Sequence, residues 1–269
     1  MMNTIMKNIL FAALMLVHAF IAVSCSKYDN PDEGTYYVHD GDFLSYDSAV
    51  VDYDGNVYRT VWLGEQCWMA ENLRTTHYAD GTEIPLGDSA SYTKAYRYFP
   101  SNSEMYISDY GYLYNWAAVM KGNTSSNNIP SGVQGICPTG WHVPSHAEWK
   151  QLTDYVSSQS EYVCGSGRIA KALASTTGWN TSTVACSPGE APSSNNATGF
   201  EAMPAGQFNN GTYLSLGSGV HFWSSTGNVD GNNSFAWYRS IVYDRSGVDA
   251  NYYDSAPKNM GWSVRCVRD

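Results

Sequence analysis

Apolar residues open the chain in one block: Ile9 to Val23 is interrupted only by His18, and Ala22-Val23-Ser24 lead into Cys25. A different pattern begins near Ala49. Val50-Val51-Asp52-Tyr53 and Val57 to Leu63 are β-rich runs on either side of Asp54-Gly55, a pair that favours a hairpin turn. Ser145-His146-Ala147-Glu148 forms a capping box, and Trp149, Leu152 and Val156 follow at helical spacing. A second, shorter helix is expected over Arg168 to Ala174, through Ile169, Ala172 and Leu173. Tyr112 to Met120 suits helix and strand alike. Beyond residue 198, short β-runs alternate with Gly, Asn and Ser: Phe200 to Pro204, Thr212 to Leu216, His221 to Ser225, Ala236 to Tyr243, Val248 to Tyr253 and Trp262 to Val267. Nothing repeats at solenoid spacing. The pattern predicts an α+β domain over residues 49–269, with two helices, several short antiparallel strands and long loops.

The opening block carries Lys7 and no acid before a short apolar core and small residues, which describes a secretory signal peptide over residues 1–24. Cysteine directly after the cleavage site is the bacterial lipoprotein arrangement, in which Cys25 is acylated. Position −3 is Ala22 where Leu is usual, with Ile21 one residue back. Ser26 lacks the Asp that favours inner-membrane retention, so the expected partner is outer-membrane lipid, with either face of that membrane open to the domain. Residues 25–48 then read as an acidic tether holding Asp29, Asp32, Glu33, Asp40 and Asp42.

Composition narrows the function. The chain has 15 Lys and Arg against 25 Asp and Glu, net −10, which opposes nucleic-acid binding through phosphates. Aromatic residues make up 14%, too many for a disordered acidic chain. Export permits disulfides. Five cysteines follow Cys25: Cys67, Cys137, Cys164, Cys186 and Cys266, an odd number. Cys164 and Cys186 bracket a polar stretch that a bridge would staple, although spacing alone leaves the connectivity open.

Six segments occur in an order that resembles a known family: Asp52 to Tyr58, Gln66-Cys-Trp-Met-Ala-Glu-Asn-Leu-Arg74, Tyr110-Gly-Tyr-Leu-Tyr-Asn-Trp116, Cys137-Pro-Thr-Gly-Trp-His-Val-Pro-Ser145 with Glu148-Trp149, Phe222-Trp-Ser-Ser-Thr226, and Trp262-Ser-Val-Arg-Cys-Val-Arg268. They resemble the Fibrobacter succinogenes major paralogous domain, found in exported lipoproteins of Bacteroidota and relatives. That resemblance implies a Cys137–Cys266 disulfide and leaves Cys67 as the odd thiol. The Gly140-Trp-His-Val-Pro-Ser-x-x-Glu-Trp149 run and Arg265-Cys-Val-Arg268 are similar, more distantly, to the formylglycine-generating enzyme domain. The fold implied is C-type-lectin-like, with a small antiparallel sheet joining the ends of the domain.

Catalysis is not expected. The enzyme relatives need reactive cysteines near their C-terminal end, and Ser187 to Arg265 contains none. His142 and His146 with Glu148 invite a metal site, but Pro144 breaks the helix that would align them, so a half-buried His142 and a surface His146 are expected and no metal or cofactor. Asp52, Asp54 and Asn56 resemble the start of a calcium loop, yet its twelfth position is Leu63 rather than Glu. The sugar-binding triplets of calcium-dependent lectins, Glu-Pro-Asn, Gln-Pro-Asp and Trp-Asn-Asp, are absent from the sequence. Asp-Ser-Ala at Asp47, Asp88 and Asp254 resembles a glycosylation triplet of Bacteroidota.

Binding is the expected role, for an external protein or carbohydrate, with a structural subunit of a surface appendage as the alternative. From Asn228 to Met260, Asn, Asp, Ser and Tyr supply 17 of 33 residues, a composition like that of antibody binding loops. Alternation along Ala236 to Tyr243 sets Trp237, Arg239, Ile241 and Tyr243 opposite Tyr238, Ser240 and Val242. Tyr238, Tyr252 and Tyr253 are the expected ligand contacts, with Asp249, Asn251 and Asp254 as polar neighbours.

Overall fold

The computed structural model describes residues 49–227, 234–249 and 256–269. The described strands run in chain order as β1 Ala49–Val51, β2 Val57–Leu63, β3 Gln66–Met69, β4 Arg97–Tyr98, β5 Leu113–Tyr114, β6 Trp141–His142, β7 Gln207–Asn209, β8 Thr212–Leu214, β9 Gly219–Gly227, β10 Phe235–Val242, β11 Ala256–Pro257 and β12 Val267–Arg268. Helices are α1 Ile107–Tyr110, α2 Trp116–Met120, α3 His146–Ser158 and α4 Ala170–Leu173. An antiparallel sheet ordered β1-β2-β3-β12-β6 brings the two ends of the domain together, with Val267 opposite both Trp68 and His142. A ribbon ordered β11-β10-β9 packs beside it.

The first hairpin forms where the sequence places it, and Asp52 shows why. Its carboxylate accepts from the Asn56 backbone N–H at 2.9 Å, the Asn56 side chain at 2.8 Å and the Tyr58 hydroxyl at 2.6 Å. Gly55 supplies the left-handed residue of the turn at φ +82°. Along β3, period two sends Cys67 and Met69 to one hydrophobic cluster and Trp68 to another. Trp68 is fully buried, its ring centroid 4.5 Å from Trp149 and 6.0 Å from Phe200. Helix α3 delivers Trp149, Leu152 and Val156 to that cluster, and both halves of its capping box form.

Several expectations change. Two helices become four among the described residues, because α1 and α2 are too short to show a period. Tyr112 to Met120 resolves into both alternatives: β5, then α2, separated by Asn115, whose side chain caps the helix by accepting from Ala118 N–H at 3.1 Å. Phe200 to Pro204 and Trp262 to Cys266 are not regular strands and make only isolated bridges, Ala202 to Ala174, Trp262 to Tyr114 and Ser263 to Phe222. Arg265 is the reason in part, since its guanidinium occupies the carbonyls of Phe200 and Glu201. Disulfides join Cys137 to Cys266 and Cys164 to Cys186, with Cα atoms 5.9 and 5.7 Å apart. Cys67, expected as the odd thiol, is itself disulfide-bonded, to a partner outside the described residues.

Candidate functional site

The structure separates the residues expected to bind. Tyr238 is 8% exposed on the inner face of β10, its ring 4.6 Å from Trp262 and 6.0 Å from His221, so it is a core residue and not a ligand contact. Alternation reads the two faces correctly, but Trp262 fills the side on which Tyr238 lies. The opposite face carries Trp237, half-buried, 3.9 Å from the ring of His146. Arg239 beside it is buried and donates to His146 Nδ1 at 3.0 Å. Burial, then the charges of Arg239 and Lys150, push the His146 pKa down to about 4, which keeps Nδ1 available as the acceptor a guanidinium requires. Asp249 pairs through its backbone with Ser240 and through its carboxylate with Arg245 at 3.0 Å. Asn251, Tyr252, Tyr253, Asp254 and Cys25 lie outside the described residues.

His142 is fully buried rather than half-buried. Its Nε2 meets Glu148 Oε1 and its Nδ1 meets Asp269 Oδ1, each at 2.7 Å. Two carboxylates on the two ring nitrogens require two donors, which is the imidazolium. Burial opposes that charge, but the hydrogen bonds and charges of Glu148 and Asp269 outweigh it and raise the pKa. Among the described residues no group of three His, Cys, Asp or Glu side chains is placed to hold a metal ion.

A polar cleft of about 480 Å³ opens on another side of the molecule, between β2, the stretch after β3, α1 and residues 201–203. Its charged rim is a chain of ion pairs. Arg59 donates through its backbone N–H and Nε to Glu71 Oε1, at 3.1 and 2.8 Å, and its Nη2 pairs with Glu201 Oε2. Arg74 Nη1 meets the other oxygen of Glu71 at 2.9 Å, while its guanidinium lies 4.5 Å from the centre of the Tyr58 ring. Burial works to raise the Glu71 pKa, but hydrogen bonds from Arg59 and Arg74 together hold it below the usual carboxylate range.

The floor is fixed from below by two buried side chains. Asn72 donates to the carbonyls of Tyr110 at 2.9 Å and Met203 at 3.3 Å, tying two walls together. Its Oδ1 accepts from Arg265 Nε at 3.0 Å. Arg265, with no exposed surface, also donates to the carbonyls of Met69, Phe200 and Glu201 at 2.9, 2.7 and 2.8 Å. Burial lowers its pKa to about 9, still charged at neutral pH. Glu201 holds a left-handed backbone at φ +53°, stabilised by its N–H donating to Asn196 Oδ1 at 2.8 Å. Glycine keeps two walls close: a Cβ at Gly111 would stand 2.6 Å from the Leu73 carbonyl, and one at Gly178 3.0 Å from the Tyr110 hydroxyl.

Three of the segments that carry the family resemblance therefore meet here: Gln66–Arg74 supplies rim and floor, Tyr110-Gly111 a wall, and Arg265 the support. No local pattern marks Glu201, which joins Arg59 across 142 positions of sequence. No curated protein and no solved structure matches the chain. A family model does match, over residues 61–268, and those residues contain five of the six segments whole. The chain belongs to the Fibrobacter succinogenes major domain family.

Proposed function

We propose that this chain is an exported, membrane-anchored recognition module that holds an external ligand in the cleft without transforming it. The observation that carries the reading is a concave polar site whose side chains are already fixed, by ion pairs on the rim and by Asn72 and Arg265 beneath. Fixing donors and acceptors before binding lowers the ordering cost of association. Glu71 is kept ionised by two guanidinium groups and is unsuited to giving up a proton near neutrality, which favours binding over acid catalysis. Anchoring at Cys25, and the C-type-lectin-like assignment of the domain, belong to the same proposal.

A second contact zone is supported by one observation. Asp249 and Ala256 are both paired with β10, at Ser240 and Ala236, the strand that presents Trp237, and Asn251, Tyr252, Tyr253 and Asp254 fall between them in the sequence. The experiment that separates the zones is array screening of the processed chain against glycans and proteins, repeated with Ser108→Trp and Thr177→Trp. Both residues are exposed and line the cleft, so a bulky ring there blocks it without touching the core. Loss of the selected ligand in both variants, with an unchanged melting temperature, is the expected result. Full binding by both variants, together with loss in Tyr252→Ala or Tyr253→Ala, would assign the function to the stretch between Asp249 and Ala256 instead.

A further inference from the structure

We infer that the cleft takes a neutral carbohydrate, recognised through adjacent hydroxyl groups; the inference rests on the cleft being the binding site. Charge bookkeeping comes first. Arg59, Arg74, Glu71 and Glu201 balance one another within the rim, and Arg59 and Arg74 already sit against carboxylates; Asp109, the other charged residue of the lining, stands exposed and accepts from the Ser108 hydroxyl at 3.2 Å. An anionic ligand would have to displace a glutamate and leave that carboxylate without its cation. A cationic ligand faces the converse problem at Glu71 and Glu201, and the carboxylate it could reach without breaking a pair, Asp109, is exposed, where a pair is worth little. Replacing one member of a partly buried ion pair is costly because the abandoned charge loses its partner. A neutral ligand breaks nothing.

Hydroxyl chemistry fits what the rim offers. Each sugar hydroxyl both donates and accepts, and an ionised carboxylate has roughly four acceptor positions, more than one guanidinium fills. Glu201 meets Arg59 through Oε2, so the same carboxylate can take a hydroxyl donor while keeping its ion pair. Guanidinium and carboxylate lie in contact along the rim, presenting donors and acceptors side by side. Neighbouring hydroxyls on a pyranose ring present the same alternation.

The remaining wall suits the other half of a sugar. Tyr110 and Met203 line the cleft with apolar surface, and a tyrosine ring offers a flat face with a polar tip. Burial, with the charge of Asp109 and the neighbouring Tyr106, raises the Tyr110 pKa, so its hydroxyl stays protonated and can donate. A lipid or a strongly apolar ligand would have to strip water from the paired charges with nothing to replace it. The volume, about 480 Å³, is that of a small-molecule site.

The test is calorimetry on the full processed chain with soluble gluco-, manno-, galacto- and xylo-oligosaccharides, beside uronate-containing oligosaccharides and acidic and basic peptides of similar length. At least one neutral series should bind, with an affinity that changes little between low and physiological salt. Glu201→Gln and Ser108→Trp should each weaken it about tenfold or more, with circular dichroism unchanged in both and the melting temperature unchanged in Ser108→Trp. If only charged oligosaccharides or peptides bind, and Ser108→Trp abolishes that binding, the cleft stands as the site and the ligand class is overturned. If a neutral series binds the wild type and Ser108→Trp and Thr177→Trp equally, the sugar lies elsewhere and the inference fails with the site. If no neutral series binds, the inference fails.

Discussion

Replacing Arg265 with Met should destabilise the domain by about 3–5 kcal/mol, although among the described residues the side chain makes no direct ion pair. Four acceptors depend on it: the carbonyls of Met69, Phe200 and Glu201 and the Asn72 side chain. A buried acceptor left without a donor costs roughly 1–3 kcal/mol, so the gross loss over the four is about 4–12 kcal/mol. Removing a buried guanidinium returns several kcal/mol, because its desolvation is no longer required. Methionine also keeps contact with Phe200 and Phe222, over which the guanidinium now lies at 4.6 and 5.5 Å. In a domain of this size the net change lowers the melting temperature by roughly 10 °C or more. Arg265→Lys should recover only part of that, since an ammonium cannot reproduce the planar fork that spans these carbonyls. Differential scanning calorimetry of the three proteins provides the assay. A melting temperature within about 2 °C of wild type for Arg265→Met would refute the reasoning, because it would mean these carbonyls are satisfied another way.

Three further outcomes are expected. His142 has a raised folded pKa, so its stabilising charge is fully present below its ordinary value of 6.5 and is lost as pH rises through the folded value. The melting-temperature difference between wild type and His142→Gln should therefore shrink from about pH 6.5 upward, and a difference that grows would contradict the paired imidazolium. Tyr238→Ala should cost about 3 kcal/mol or more of stability by urea unfolding, against a near-neutral change if the ring faced a ligand. Acylation of Cys25 and a disulfide at Cys67 compete within this chain, since no other cysteine is left to pair with Cys67. Processing to the lipid-anchored form should therefore open the bridge at Cys67: mass mapping of the membrane-bound protein should find a lipid on Cys25 and Cys67 as a thiol that alkylates only after unfolding, and a disulfide-bonded Cys67 in that fraction would refute the anchor.

Signals confined to a few neighbouring residues were legible in the sequence. Asp52 to Asn56 closes its own turn, and Ser145 and Glu148 cap their own helix, so neither element depends on distant partners. Faces were legible only up to a choice of side: the alternation along β10 is real, but Trp262 and α3 decide which half is core. The cleft was carried by the family-like segments without being readable as a site. Glu71, Asn72 and Arg265 look like ordinary polar residues beside strands until the fold joins positions 72 and 265. Glu201 is placed by a left-handed backbone residue that no propensity marks. The Cys137–Cys266 pairing came from the resemblance, since spacing alone allowed other partners.

The central claim is that ligand sits between the ion-paired rim and the Tyr110 wall. Hydrogen–deuterium exchange of the processed chain, with and without a saturating oligosaccharide that binds in calorimetry, tests it without any substitution. The account predicts slowed exchange in residues 70–74, 108–111, 177–178 and 201–203, which with Arg59 line the cleft. Slowed exchange confined to residues 234–260, with the cleft stretches unchanged, would contradict it.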